Sequence, residues 1–198
     1  MSIRSVLGFA PHSGWAAVVV VAGTASAPRV LVRERIELVD AALPGARQPY
    51  HALEDLPIAE ARTRLAQFEA AAQRLATAAV GSLCARTRAA GAAPLAAGIL
   101  DSAGRRGANL EAILASHTLI HTADGDHFRA ALARGCEAHQ VPVTRLARRG
   151  LEERACTVLK RSPAGLARAL GALGLGLGAP WGADQKSAAL IAWLLLAS

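Results

Sequence analysis

Three of the six histidines fall within one stretch, Asn109–Arg129: His117, His121 and His127, together with Asp124 and Asp126. Histidines four residues apart lie one helical turn apart, so His117 and His121 can offer two imidazoles to one metal ion, with Asp124 near enough to add a carboxylate. A metallopeptidase would need Glu directly after the first histidine. Thr118 stands there instead. The competing reading is a pair of core histidines satisfied by each other or by backbone. Ser116-His117 as nucleophile and base is disfavoured, because adjacent helical residues point about 100° apart.

On one continuous helix, Leu110, Leu114, His117, His121 and Phe128 share a face, with Ile113 and Asp124 at its edge. Two imidazoles would then stand where an amphipathic helix presents hydrocarbon to its core. Asp124-Gly125-Asp126-His127 opens like a calcium loop, but Phe128–Leu132 is apolar and the remaining ligands are missing. The expectation is a bend or stop at Asp124-Gly125-Asp126 and an N-cap where the helix resumes, with His127 and Arg129 in its first turn. Asp124, Asp126 and Arg129 are therefore candidate ligand- or anion-binding groups.

A second candidate is Asp101–Ala108, which joins a strand end to a helix N-terminus. Such junctions bind anions, and Arg105 and Arg106 would add charge. No Walker pattern accompanies Gly104 and Gly107, so an anion loop and a plain connection both stay open. The Gly174, Gly176, Gly178 string follows a helix and reads as a flexible link.

The elements that must position these groups read as follows. Ser5–Ala10 is a short apolar strand and Pro11–Gly14 a turn. Trp15–Gly23, with Val18 to Val21 consecutive, is a strand covered on both faces. Arg29–Leu38 alternates Val30, Val32, Ile36 and Leu38 against Arg33, Arg35 and Glu37, the pattern of a half-exposed strand. Asp40–Leu56 is a connecting segment. Ile58 to about Ala89 carries apolar residues at three- and four-residue spacing and predicts a long helix, with Gly81-Ser82 as a kink or break. Leu95–Leu100 is a strand, Asn109 an N-cap, Val141–Ala147 an edge strand containing Pro142, and Leu151–Lys160 a helix. Ser162 caps the next helix. Asp184–Ala197 is a closing helix apolar almost all round, and so either buried or in a subunit contact.

Hydrophobic residues make up 53% of the 198 and charged residues 19%, enough for a large core. The longest apolar runs, Trp15–Ala22 and Ala188–Ala197, are well short of the roughly 20 residues of a membrane span. No signal-peptide pattern begins the chain, and one cytoplasmic domain over 1–198 without membrane contact is expected. Cys84, Cys136 and Cys156 are odd in number and far apart, which excludes a zinc ribbon and favours free thiols. The net charge of +7 favours an anionic partner such as nucleic acid, although an Arg-rich composition explains it equally well.

The order β-β-β-α-β-α-β-α resembles the ribonuclease H-like superfamily, and within it the RuvC-type Holliday-junction resolvases. Gly8-Phe9-Ala10-Pro11-His12-Ser13-Gly14 resembles their first strand end, Gly-Ile-Asp-Pro-Gly-Ser. Ala183-Asp184-Gln185-Lys186-Ser187-Ala188 resembles the start of their closing helix. The resemblance implies an α/β fold whose mixed five-stranded sheet is a three-strand antiparallel meander plus two parallel strands, with helices on both faces. It also implies a carboxylate site holding divalent metal for phosphodiester cleavage. Ala10 occupies the place of the first acid. Asp101 and Asp184 are the candidates for the second and third, and His12 replaces the turn glycine as a nitrogen donor that suits Mg²⁺ poorly. The leading expectation is a nucleic-acid-associated protein with weak or lost nuclease activity. The second is a small-molecule or metal-dependent enzyme built on His117 and His121. The third is a non-catalytic protein that dimerises through its C-terminal helix.

Overall fold

The structure is a computed structural model, described here for residues 2–101 and 107–198. Strands β1 (Ile3–His12), β2 (Trp15–Gly23) and β3 (Pro28–Glu37) form an antiparallel meander. β4 (Ala92–Asp101) pairs with β1 in parallel, and β5 (Val143–Ala147) pairs in parallel with β4. The sheet order is β3-β2-β1-β4-β5, which leaves Pro142 just ahead of an edge strand, where a missing N–H costs least.

One face is covered by α1 (Ile58–Ala89) and α3 (His117–Ala138). The other is covered by α6 (Ala183–Leu196), flanked by α4 (Leu151–Val158) and α5 (Pro163–Leu173). Both layers explain the valine run. Val18 and Val20 pack in the α1/α3 layer, Val19 and Val21 in the α6 layer, and all four are fully buried. Among the described residues no helix is long and apolar enough to cross a membrane.

Several local expectations are corrected. β1 runs from Ile3 through His12, so the turn is only Ser13-Gly14, with Gly14 at a positive φ of 87°. β3 does not alternate cleanly. Val20 pairs with Val32 but Val21 with Val30, so a bulge at Leu31 sends Val30 to the α6 face and Val32 to the opposite one. α1 passes through Gly81-Ser82 unbroken, and Gly81 makes room for the His139 ring, whose Nε2 donates to the Thr77 carbonyl at 2.9 Å. The segment after β3 holds a single 3₁₀ turn, His51–Leu53, pinned by Leu53 against Ala61 and Phe68 of α1.

The central helix breaks earlier than expected. The Asn109 side chain caps the five-residue α2 (Leu110–Leu114) by accepting from Ala112 N–H at 2.9 Å. The chain is extended at Ser116, and α3 then runs without interruption through Asp124-Gly125-Asp126. The restart cap at those residues does not exist. The buried stripe of α3 is Ile120, Asp124, His127, Phe128, Ala131, Leu132, Gly135 and Cys136, while His117 and His121 are exposed. The two imidazoles therefore lie outside the core, although helical spacing puts them on the same face as buried Asp124 and Phe128.

The closing helix spends its apolar surface on its own sheet, which removes the reason for expecting a dimer contact there. Its approach is close because glycine faces it. A Cβ on Gly8 would stand 1.9 Å from the Ala188 carbonyl oxygen, and one on neighbouring Gly98 2.0 Å from the Ile191 side chain. Gly8→Ala must push the helix backbone away, and should cost about 1–3 kcal/mol in chemical denaturation; an unchanged midpoint would contradict this packing.

His127 supplies a second test. It is 7% exposed, and its Nε2 has no hydrogen-bond partner among the described residues. Burial, helped by the Arg134 cation, lowers its pKa from 6.5 to about 4. The folded chain thus binds fewer protons than the unfolded one. The contribution is fully present above pH 6.5 and is lost as pH falls towards 4. It amounts to about 3 kcal/mol. Stability measured from pH 7 to 4 should fall less steeply in His127→Gln than in the parent; parallel curves would count against a buried neutral imidazole.

Candidate functional site

In open α/β sheets, binding groups gather beyond the carboxyl ends of the parallel strands. Here β1 ends at His12, β4 at Asp101 and β5 at Ala147. Three polar groupings occupy this end.

The first is centred on Asp124. Its spacing from His117 and His121 places all three on neighbouring turns of α3. Asp124 is 3% exposed, and both of its oxygens are used. Oδ1 accepts from the Tyr50 N–H at 2.7 Å, and Oδ2 accepts from His51 Nδ1 at 2.5 Å. Burial pushes the Asp124 carboxyl above its ordinary pKa, while these two hydrogen bonds pull it back. His51 is carried by the 3₁₀ turn, and its ring meets both helix histidines, with centroids 5.4 Å from His117 and 4.6 Å from His121. The His117 and His121 Nε2 atoms lie 3.0 Å apart, within hydrogen-bonding distance. The three histidines each bring one ring nitrogen within 4.8 Å of the others. Imidazole nitrogens in such a group suit a borderline transition metal rather than Mg²⁺.

The second grouping consists of ion pairs. Arg129 Nε donates to the Leu100 carbonyl at 3.1 Å and lies 3.7 Å from Asp101 Oδ1. Arg145 Nη1 meets Asp126 Oδ1 at 2.6 Å. Asp101, Arg129 and Asp126 thus tie α3 to the strand ends. Arg105 and Arg106 lie outside the described residues. A cavity of about 210 Å³ is lined by Tyr50, Asp126, His127 and Arg134 on the same side of α3. The Tyr50 phenol facing it is pushed up to about 12, chiefly by burial.

The third grouping is on the opposite face. His12 Nε2 meets Asp184 Oδ1, in the first turn of α6, at 2.9 Å. The His12 ring stacks on Trp15 at 4.3 Å, and the Arg35 guanidinium covers the same indole at 4.0 Å.

The sheet register separates the carboxylates. Phe9 pairs with Ile99, so Ala10 lies beside Leu100, and both sit in the α6 layer. Asp101, one residue on, reaches Arg129 of α3 instead. Asp101 and Asp184 therefore stand on opposite faces of the sheet. At the strand ends the α6 face carries Ala10 at 1% and Leu100 at 3% exposure, with no carboxylate on either.

Sequence reasoning found His117, His121 and Asp124 but missed His51. Nothing marks His51 in a segment without a period, 73 residues from the carboxylate that holds it.

No protein-family model and no curated protein matches the chain. Solved structures do. Thermus thermophilus RuvC in complex with a Holliday junction substrate is 16% identical, with a TM-score of 0.55 over 96% of this chain and 91% of that one. A second Thermus thermophilus RuvC structure is 17% identical, with a TM-score of 0.56 over 96% of this chain and 92% of that one. The chain has the ribonuclease H-like, RuvC-type fold.

Proposed function

We propose that the chain is a nucleic-acid-associated protein of RuvC-type fold whose nuclease chemistry is weak or lost. The observation that carries this reading is the apolar pair Ala10 and Leu100 in the α6 layer, at the strand ends where the fold's acids are expected. Two-metal cleavage needs carboxylates converging on both ions. Among the described residues Asp184 pairs with His12, and Asp101 meets Arg129 on the other face.

Binding is supported separately. The solved structure to which the chain is similar holds a Holliday junction, and the net charge here is +7. Exposed cations also border the strand ends. Arg148 and Arg149 follow β5, and Lys186 lies on the first turn of α6. Phosphate contacts from such side chains release counterions, so affinity should fall steeply with salt.

A labelled four-way junction and a duplex of the same length provide the test. The expected result is a mobility shift that weakens steeply between about 50 and 200 mM salt, with no cleavage when Mg²⁺ is added. Arg148→Ala with Arg149→Ala should flatten the dependence of log K on log salt by up to about 2. No shift at low salt would remove the nucleic-acid reading. Mg²⁺-dependent cleavage abolished by Asp184→Asn would overturn the loss of nuclease chemistry.

A further inference from the structure

We propose that His51, His117 and His121 form a Zn²⁺ site, oriented from behind by Asp124. The site is independent of the nucleic-acid reading and lies on the opposite face of the sheet from Asp184.

The ligand set follows from the hydrogen bonds. His51 Nδ1 donates to Asp124, which leaves Nε2 as the ring's lone-pair atom. His117 and His121 turn their Nε2 atoms towards each other, 3.0 Å apart. Two nitrogens bound tetrahedrally at about 2.0–2.1 Å from zinc are roughly 3.3 Å apart. The pair therefore needs to open by only a few tenths of an ångström. Because its Nδ1 is engaged by Asp124, His51 would bind the metal through Nε2; one ring nitrogen of each of the three histidines lies within 4.8 Å of the others.

The second observation is the carboxylate. A buried carboxylate is costly unless its partners repay it. Asp124 spends one oxygen on a backbone N–H and the other on a half-exposed imidazole. That arrangement selects the His51 tautomer and holds its ring. Metal-ligating histidines characteristically donate their second nitrogen to such a carboxylate. Two exposed histidines serving only as helix surface would need no third ring held against them.

Three imidazoles suit zinc and its neighbours, and they leave one position of a tetrahedral shell for water or another ligand. His117 and His121 are exposed, so that position is reached from solvent.

The test uses the full chain, stripped with a chelator and titrated with ZnCl₂ by calorimetry, with metal content measured after dialysis. The expected result is one zinc per chain. His117→Ala and His121→Ala, at exposed positions, should each abolish stoichiometric binding while circular dichroism stays unchanged. Asp124→Asn should keep the stoichiometry and weaken affinity about 10- to 100-fold. His139→Gln, at the far end of α3, should bind like the parent. Substitution with Co²⁺ should give the intense visible bands of a tetrahedral site. Absence of zinc uptake by the parent, or binding that survives the His117→Ala/His121→Ala double substitution, would overturn the proposal.

Discussion

A carboxylate removed from water holds the most distinctive part of this molecule together. Asp124 lies in the core stripe of α3, and with two hydrogen bonds it grips the Tyr50-His51 turn that follows the meander. The turn is also anchored by Leu53 against α1, so three separate pieces of chain meet at one point. Leaving a buried charge without its partner typically costs about 3–5 kcal/mol, which makes the arrangement close to all-or-none. That grip, together with the Leu53 anchor, holds His51 beside His117 and His121 at the exposed start of α3.

The architecture was largely legible, and for identifiable reasons. The meander showed because β1 and β2 are buried on both faces and therefore read as unbroken apolar runs. The closing helix showed for the same reason: it docks through Ala188, Ile191 and Ala192 onto Gly8 and Gly98. Less visible were features set by register and by partners. The bulge at Leu31 reverses the alternation of β3, and only pairing with β2 reveals it. Within α3, His117, His121, Asp124 and Phe128 do share a face, but a helical wheel carries no information on position along the axis, and the buried residues on that side begin only at Ile120. Asp124-Gly125-Asp126 looked like a helix boundary by composition. Tertiary partners for both aspartates override that local preference.

The site was half legible. The four-residue spacing of His117 and His121 was enough to single them out, and Asp124 followed from its place on the same helix. Their partner was not, because His51 has no sequence relation to α3. The two carboxylates are a different case. Asp101 and Asp184 match the order expected of a RuvC-type chain, but the side of the sheet each one meets depends on strand parity and on which helix packs there. A single step along β4, from Leu100 to Asp101, decides it. The result is a molecule with the RuvC-type fold, an apolar α6 face at the strand ends, and its richest polar chemistry on the other face.

In the proposed zinc site Asp124 acts as a carboxylate that receives the His51 Nδ1 proton and so leaves Nε2 as the ligand atom. Imidazole ¹⁵N–¹H correlation spectra of the metal-free chain near neutral pH measure this directly. His51 should carry its proton on Nδ1, with a strongly deshielded resonance and an unprotonated Nε2. A His51 protonated on Nε2, with Asp124 donating to a bare Nδ1, would contradict this assignment.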